Sequence, residues 1–194
     1  MITRTFLTAA ALGLALTSGA FAADCKITVE DAFDLEGEAM DEVYACISDK
    51  LLEGYTKGDN EVAAVYRTWA PTATRPAVAG PHGNRALNTF ANDIAAEQYL
   101  KFEEEGVVMP VGSILAKESI GLSVKKGTAR VGPLFIMTKG EAGAAPEAND
   151  WIYSAVQPNG KPMKIKQSFC HNCHEGFAEQ GDLGYPLEEV RITN

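Results

Sequence analysis

Near the C-terminal end the chain reads Phe169-Cys170-His171-Asn172-Cys173-His174. Two thiols three positions apart, followed at once by an imidazole, form a Cys-x-x-Cys-His pattern. That pattern suits covalent attachment of haem. The thiols add across the two vinyl groups as thioethers, both sulfurs fall on one edge of the porphyrin, and the next histidine swings under the iron. The sequence therefore predicts one haem c, attached through Cys170 and Cys173, with His174 as the proximal iron ligand. A thioredoxin-type Cys-x-x-Cys fits less well, because that motif usually opens a helix after a strand near the start of a domain. A zinc site lacks its second half, since the remaining cysteines, Cys25 and Cys46, are far away in sequence. His171, between the two thiols, is expected to point away from the iron into solvent.

The other side of the iron is less legible. His82, in Pro81-His82-Gly83, is the one histidine outside the motif. It can serve as a sixth ligand, although a lone loop histidine is more often structural. Met109, Met137 and Met163 carry thioethers, but methionine is more often core filler than axial ligand. With none of these bound, the iron has an open distal position for small molecules; with one bound, plain electron transfer is favoured. Phe90, Phe135 and Met137 are candidates for an apolar wall against the haem, with ordinary core packing as the alternative.

The N-terminus sets the compartment. Residues 1–22 hold a single cation, Arg4, an apolar stretch from about Phe6 to Leu16, and Ala20-Phe21-Ala22 at the end. This is the arrangement of a cleaved signal peptide, too short to span a bilayer as an anchor. The expected product is a periplasmic domain of residues 23–194, long enough for one sizeable core. The formal net charge of −9 argues against nucleic acid and anionic membrane as partners and permits docking to a basic redox partner. In an oxidising compartment Cys25 and Cys46 are expected to pair.

The element pattern points to an α+β domain. Residues 38–56 carry an apolar stripe at helical spacing: Met40, Val43, Tyr44, Ile47, Leu51 and Tyr55. Asn60 can cap a second, shorter helix with Val62, Val65, Tyr66 and Trp69 inward. Residues 70–81, with three prolines, read as a loop. Strands are expected at 85–91, 107–109, 113–118, 131–138 and 151–156. One helix, capped by Asn92 or Asp93, is expected among them as far as Glu105, with Ile94 on its inner face.

Several segments together resemble the cytochrome P-460 family, which includes the β-sheet cytochromes c′. They are Tyr66-Arg67-Thr68-Trp69, His82-Gly83-Asn84-Arg85 leading into a strand, Tyr99 followed by Gly106, the run from Pro110 to Glu118, Trp151, and the late Cys170–His174 motif. The resemblance implies helices packed on a curved antiparallel sheet that holds the haem, with dimers common. It also implies one of two activities. One group cross-links a lysine to the haem ring and oxidises hydroxylamine; the other has an apolar distal cap and binds nitric oxide. Lys117, in Lys117-Glu118, is the candidate cross-linking lysine, with Lys101 the weaker one. The competing reading of that pair is a surface salt bridge of little value. The hydroxylamine-oxidising members use a distal carboxylate, and residues 131–138 contain no acid. Glu118 and Glu141 flank that strand without matching it. The expected function is binding or oxidation of a small nitrogen species at an open iron site, the latter as a hydroxylamine-type oxidoreductase. The alternative is a six-coordinate electron-transfer cytochrome.

Overall fold

The computed structural model describes residues 25–192. The expected signal segment lies outside the described residues. The fold is α+β, as the sequence implies. Helix α1, Gly37–Tyr55, buries Met40, Val43, Ile47, Leu51 and Tyr55 along the stripe that its periodicity marks. Helix α2, Glu61–Val65, starts where Asn60 accepts the Ala63 N–H at 2.9 Å. It buries Ala63, while Val65 is exposed, and a 3-10 turn carries the chain on through Tyr66.

Eight strands form one antiparallel sheet that curls into a half-barrel: β1 Cys25–Lys26, β2 Ala70–Pro71, β3 Ala77–Ala79, β4 Arg85–Ala91, β5 Ile114–Ser123, β6 Thr128–Val131, β7 Leu134–Lys139 and β8 Trp151–Val156. Strand β5 is the spine. Along one edge it pairs with β4. Along the other, its first half pairs with β7 and its second half with β6.

Four local expectations are corrected. The proline-rich stretch 70–81 supplies β2 and β3, both laid on β4. The helix after β4, α3, covers Asp93–Tyr99 and stops well short of Glu105; Ile94 is exposed. Phe102 turns out at φ 50° and packs edge-on against Tyr99 and Tyr185, at 5.9 and 5.4 Å between ring centres. Residues 107–109 form no strand; the Val107 N–H instead donates to the Glu179 carbonyl. The apolar run 131–138 breaks at Gly132-Pro133. The Gly132 N–H donates to the Ser119 carbonyl at 2.8 Å, and a Cβ there would sit 2.7 Å from that oxygen. Pro133 then has no N–H for a ladder, so β6 and β7 part and follow different halves of β5.

The two sheet faces carry separate clusters. Side chains alternate along a strand, so Phe90, Ala116, Ile120, Leu134 and Ile136 face α1. Leu115, Met137, Trp151 and Tyr153 face the other way, toward α3 and the C-terminal segment.

Cys25 and Cys46 form a disulfide, with Cα atoms 5.8 Å apart, tying β1 to α1. It closes a loop with a sequence separation of 21, which stabilises the fold by roughly 3 kcal/mol through the restricted unfolded chain. Cys25→Ser/Cys46→Ser should lower the unfolding free energy by about that amount in a denaturant titration. A change well below 1 kcal/mol would show that the loop is already restrained without the bond.

Candidate haem site

The motif lies on helix α4, Gln167–His174. Its first turn is fixed by Gln167, whose side-chain amide accepts the Tyr153 N–H at 2.7 Å and donates to the Tyr153 carbonyl at 2.8 Å. The glutamine acts as a strand partner for β8 at the sheet edge and so docks α4 there. Cys170 is half-buried against the second cluster, and Cys173 is exposed; neither is in a disulfide.

His174 is buried beside Tyr153, with ring centres 5.4 Å apart. Its Nδ1 lies 2.7 Å from the Asp182 carbonyl oxygen. A carbonyl only accepts, so Nδ1 carries the proton and Nε2 is left as the free lone pair. The segment supplying that carbonyl is itself held. The Trp151 indole donates to the Gly181 carbonyl at 3.0 Å, and the Asn149 amide donates to Asp182 Oδ2 at 2.9 Å. Burial, helped by the Lys117 charge, pushes His174 down to about 4, so the ring is neutral near pH 7, the form that binds metals.

His171 departs from expectation: it is buried at 9% exposure. At three residues' spacing on one helix, His171 and His174 share the inner face. Three buried polar atoms around this helix have no hydrogen-bond partner among the described residues: His171 Nδ1, the Tyr153 hydroxyl and Asp182 Oδ1. Such atoms normally find a partner in a bound group or in water. With two free thiols and a histidine of fixed tautomer alongside, this donor set fits a haem.

The sheet supplies the facing surface. Lys117 pairs with Thr89 on β4 and Phe135 on β7, and Leu115 pairs with Met137. Directly paired residues share a face, so Leu115, Lys117, Phe135 and Met137 lie together on the side of Tyr153 and His174. Lys117 is half-buried, and burial lowers its amine to about 8. His82 sits at the end of a 3-10 turn, Gly80–His82. Its ring lies 5.2 Å from that of Phe135 and 6.4 Å from that of His174. Burial, the Lys117 charge and the neighbouring His174 and Arg85 push His82 down to about 3.

Other candidates fall elsewhere. Phe90 is on the α1 side, edge-on to Tyr66 at 5.3 Å; one step of strand register separates it from the His174 side. Lys101 is exposed and bonded to Gln98. Met163 is exposed, and Met109 is buried in the second cluster. Glu141 is on an exposed loop.

Glu118, adjacent to Lys117, points to the opposite face. There it accepts from Tyr44 at 2.8 Å and Tyr66 at 2.6 Å and pairs with Arg67 at 2.5 Å. Lys117-Glu118 is therefore not a salt-bridged pair. Burial pushes the Glu118 carboxyl up while Arg67 and the two hydroxyls pull it down. No local pattern signals that Arg67 and Glu118, 51 positions apart, meet.

A family model described as Cytochrome P460 matches residues 63–183. This span begins in α2, contains β2 to β8, and ends just past the motif. A search of curated proteins found no match. The family implies a haem cofactor.

Proposed function

The chain belongs to the cytochrome P460 family, and on that premise we propose an exported, monohaem c-type cytochrome that binds small neutral nitrogen ligands, nitric oxide above all. Cys170 and Cys173 would hold the haem by thioethers and His174 would ligate its iron through Nε2. When bound, the haem supplies the iron on which the ligand sits. The observation that carries the reading is the make-up of the facing surface. Leu115, Phe135 and Met137 share that face of the sheet, with Leu115 and Met137 buried in the second cluster and Phe135 half-buried against His82, and an apolar surround of this kind favours a neutral diatomic over water or anions. The nearest acid in sequence, Glu118, is turned to the far side and occupied by Arg67.

Hydroxylamine oxidation needs a base beside the bound nitrogen, and neither Glu118 nor Glu141 is placed to be one. Lys117 has a different role in this reading. Its amine, free of an ion pair with Glu118, can donate a hydrogen bond to a ligand on the iron. The acidic composition suits docking to a basic redox partner.

The test is an optical titration of protein matured in a periplasm with haem-attachment machinery. The expected result is an ordinary c-type ferrous spectrum that shifts on adding nitric oxide, with little hydroxylamine turnover to an artificial acceptor. A ferrous band far to the red, together with rapid hydroxylamine turnover, would mark a cross-link through Lys117. It would replace nitric-oxide binding with the oxidase reading.

A further inference from the structure

We propose that His82 is the sixth ligand of the resting iron, opposite His174, and that a small ligand enters by displacing it. This rests on the haem reading above. The carrying observation is a distance. The His82 and His174 ring centres are 6.4 Å apart and their planes are at 87°. Two metal–imidazole bonds of about 2.0–2.1 Å, each extended by roughly 1.1–1.2 Å from nitrogen to ring centre, place the two centres about 6.2–6.6 Å apart when both bonds lie on one axis. Each iron-bound ring contains the ligand axis in its own plane, and two such rings can stand perpendicular to one another about that axis.

The chemistry of the two rings agrees. His174 has Nδ1 tied to Asp182 and presents Nε2. Among the described residues none hydrogen-bonds the His82 imidazole, so its lone pair is available. Phe135 packs against the His82 ring and fixes its approach. The backbone beneath is a short turn. Gly80, Pro81, Gly83 and Asn84 are exposed, and Gly83 takes φ 72° in the left-handed region. An exposed turn of this kind moves on the nanosecond to microsecond scale, and the contact that holds it to β4 at His82 is the Arg85 guanidinium donating to the His82 carbonyl at 2.8 Å, which a swing of His82 off the iron must give up or carry along. Two other donors share the face. Met137 is held on a strand paired on both sides, by β5 and β8, whereas Lys117 has a long, mobile stem. Lys117 is therefore the competitor to exclude.

The experiment uses full-length protein matured with haem attached and reads the ferric state by electron paramagnetic resonance and resonance Raman, with cyanide binding as a kinetic probe. Wild type should be six-coordinate and low-spin, with two nitrogen ligands. His82→Gly should turn high-spin and five-coordinate, and added imidazole should restore the low-spin signal. His82→Phe, which keeps a ring against Phe135, should show the same loss. Cyanide should bind roughly 10-fold or more tightly and faster in both variants, because a site open only part of the time loses affinity in proportion to its closed fraction. A high-spin wild type overturns the proposal. So does a low-spin signal that survives in both His82 variants, or one that is lost in Lys117→Met. Protein that emerges with no haem and with Cys170 and Cys173 free overturns the haem reading and this proposal together.

Discussion

Replacing Cys170 and Cys173 together with alanine should remove all covalently held haem. Denaturing gels of matured protein, stained for haem peroxidase activity, should show a band for wild type and none for the double variant. Each single variant keeps one thiol and should retain a weaker band. The fold has little reason to fail, because Cys173 is exposed and Cys170 only half-buried. Gln167 still docks α4 on β8, and the His174–Asp182 contact involves neither thiol. A circular dichroism spectrum close to that of wild-type apoprotein would confirm that the loss is chemical. An undiminished haem band in the double variant would remove the assignment of this motif.

Arg67→Ala should be the most destabilising single change on the opposite face. Arg67 reaches Glu118 through Nε and Nη2, while Nη1 donates to the Ser48 hydroxyl and Nη2 also to the Ser48 carbonyl, each at 2.9 Å. It thereby links α1, the turn after α2 and the centre of β5. Glu118 is 1% exposed. Removing the guanidinium leaves a buried carboxyl without its cation, a loss on the order of 3–5 kcal/mol. For a chain of this size that corresponds to a fall in melting temperature of roughly 10 °C, at about 2–4 °C per kcal/mol. Adding Glu118→Gln should recover part of the loss, because the buried charge is then gone. A loss below about 1 kcal/mol for Arg67→Ala would mean that water or the tyrosine hydroxyls satisfy Glu118 on their own.

The parts of this molecule that local rules determine were readable in the sequence. The stripe of α1, the Asn60 and Asn92 caps, β4, and β8 follow from periodicity and capping. The Cys25–Cys46 pairing follows from these two being the cysteines left outside the Cys-x-x-Cys-His pattern. What sequence reading missed depends on long-range pairing. Strands β2 and β3 are two and three residues long and exist because β4 lies beside them. The break at Gly132-Pro133 is set by Ser119, thirteen positions earlier, and not by the apolar run itself.

The site shows the same division. Phe90, Phe135 and Met137 look equivalent as apolar strand residues, and only the β4–β5–β7 register sorts Phe90 onto the α1 face. Lys117 and Glu118 are neighbours in sequence, and alternation along β5 sends them to opposite faces. That separation was inferable from strand parity alone, whereas reading the pair as a surface salt bridge requires both on one side. His82 is the extreme case. Ninety-two positions separate it from His174, and no local pattern shows that the curl of the sheet brings the two rings within 6.4 Å.

The most direct test of the central claim is the mass of the tryptic peptides of matured protein. Cleavage after Lys166 and Arg191 releases residues 167–191 as one peptide, which contains Cys170, Cys173 and His174. The account predicts that this peptide carries the mass of one haem, that neither thiol can be alkylated, and that no second peptide is joined to it. Residues 102–125 found linked to it through the haem would show a bond at Lys117 and contradict the nitric-oxide reading, while a bare peptide with both thiols alkylated would contradict the haem site itself.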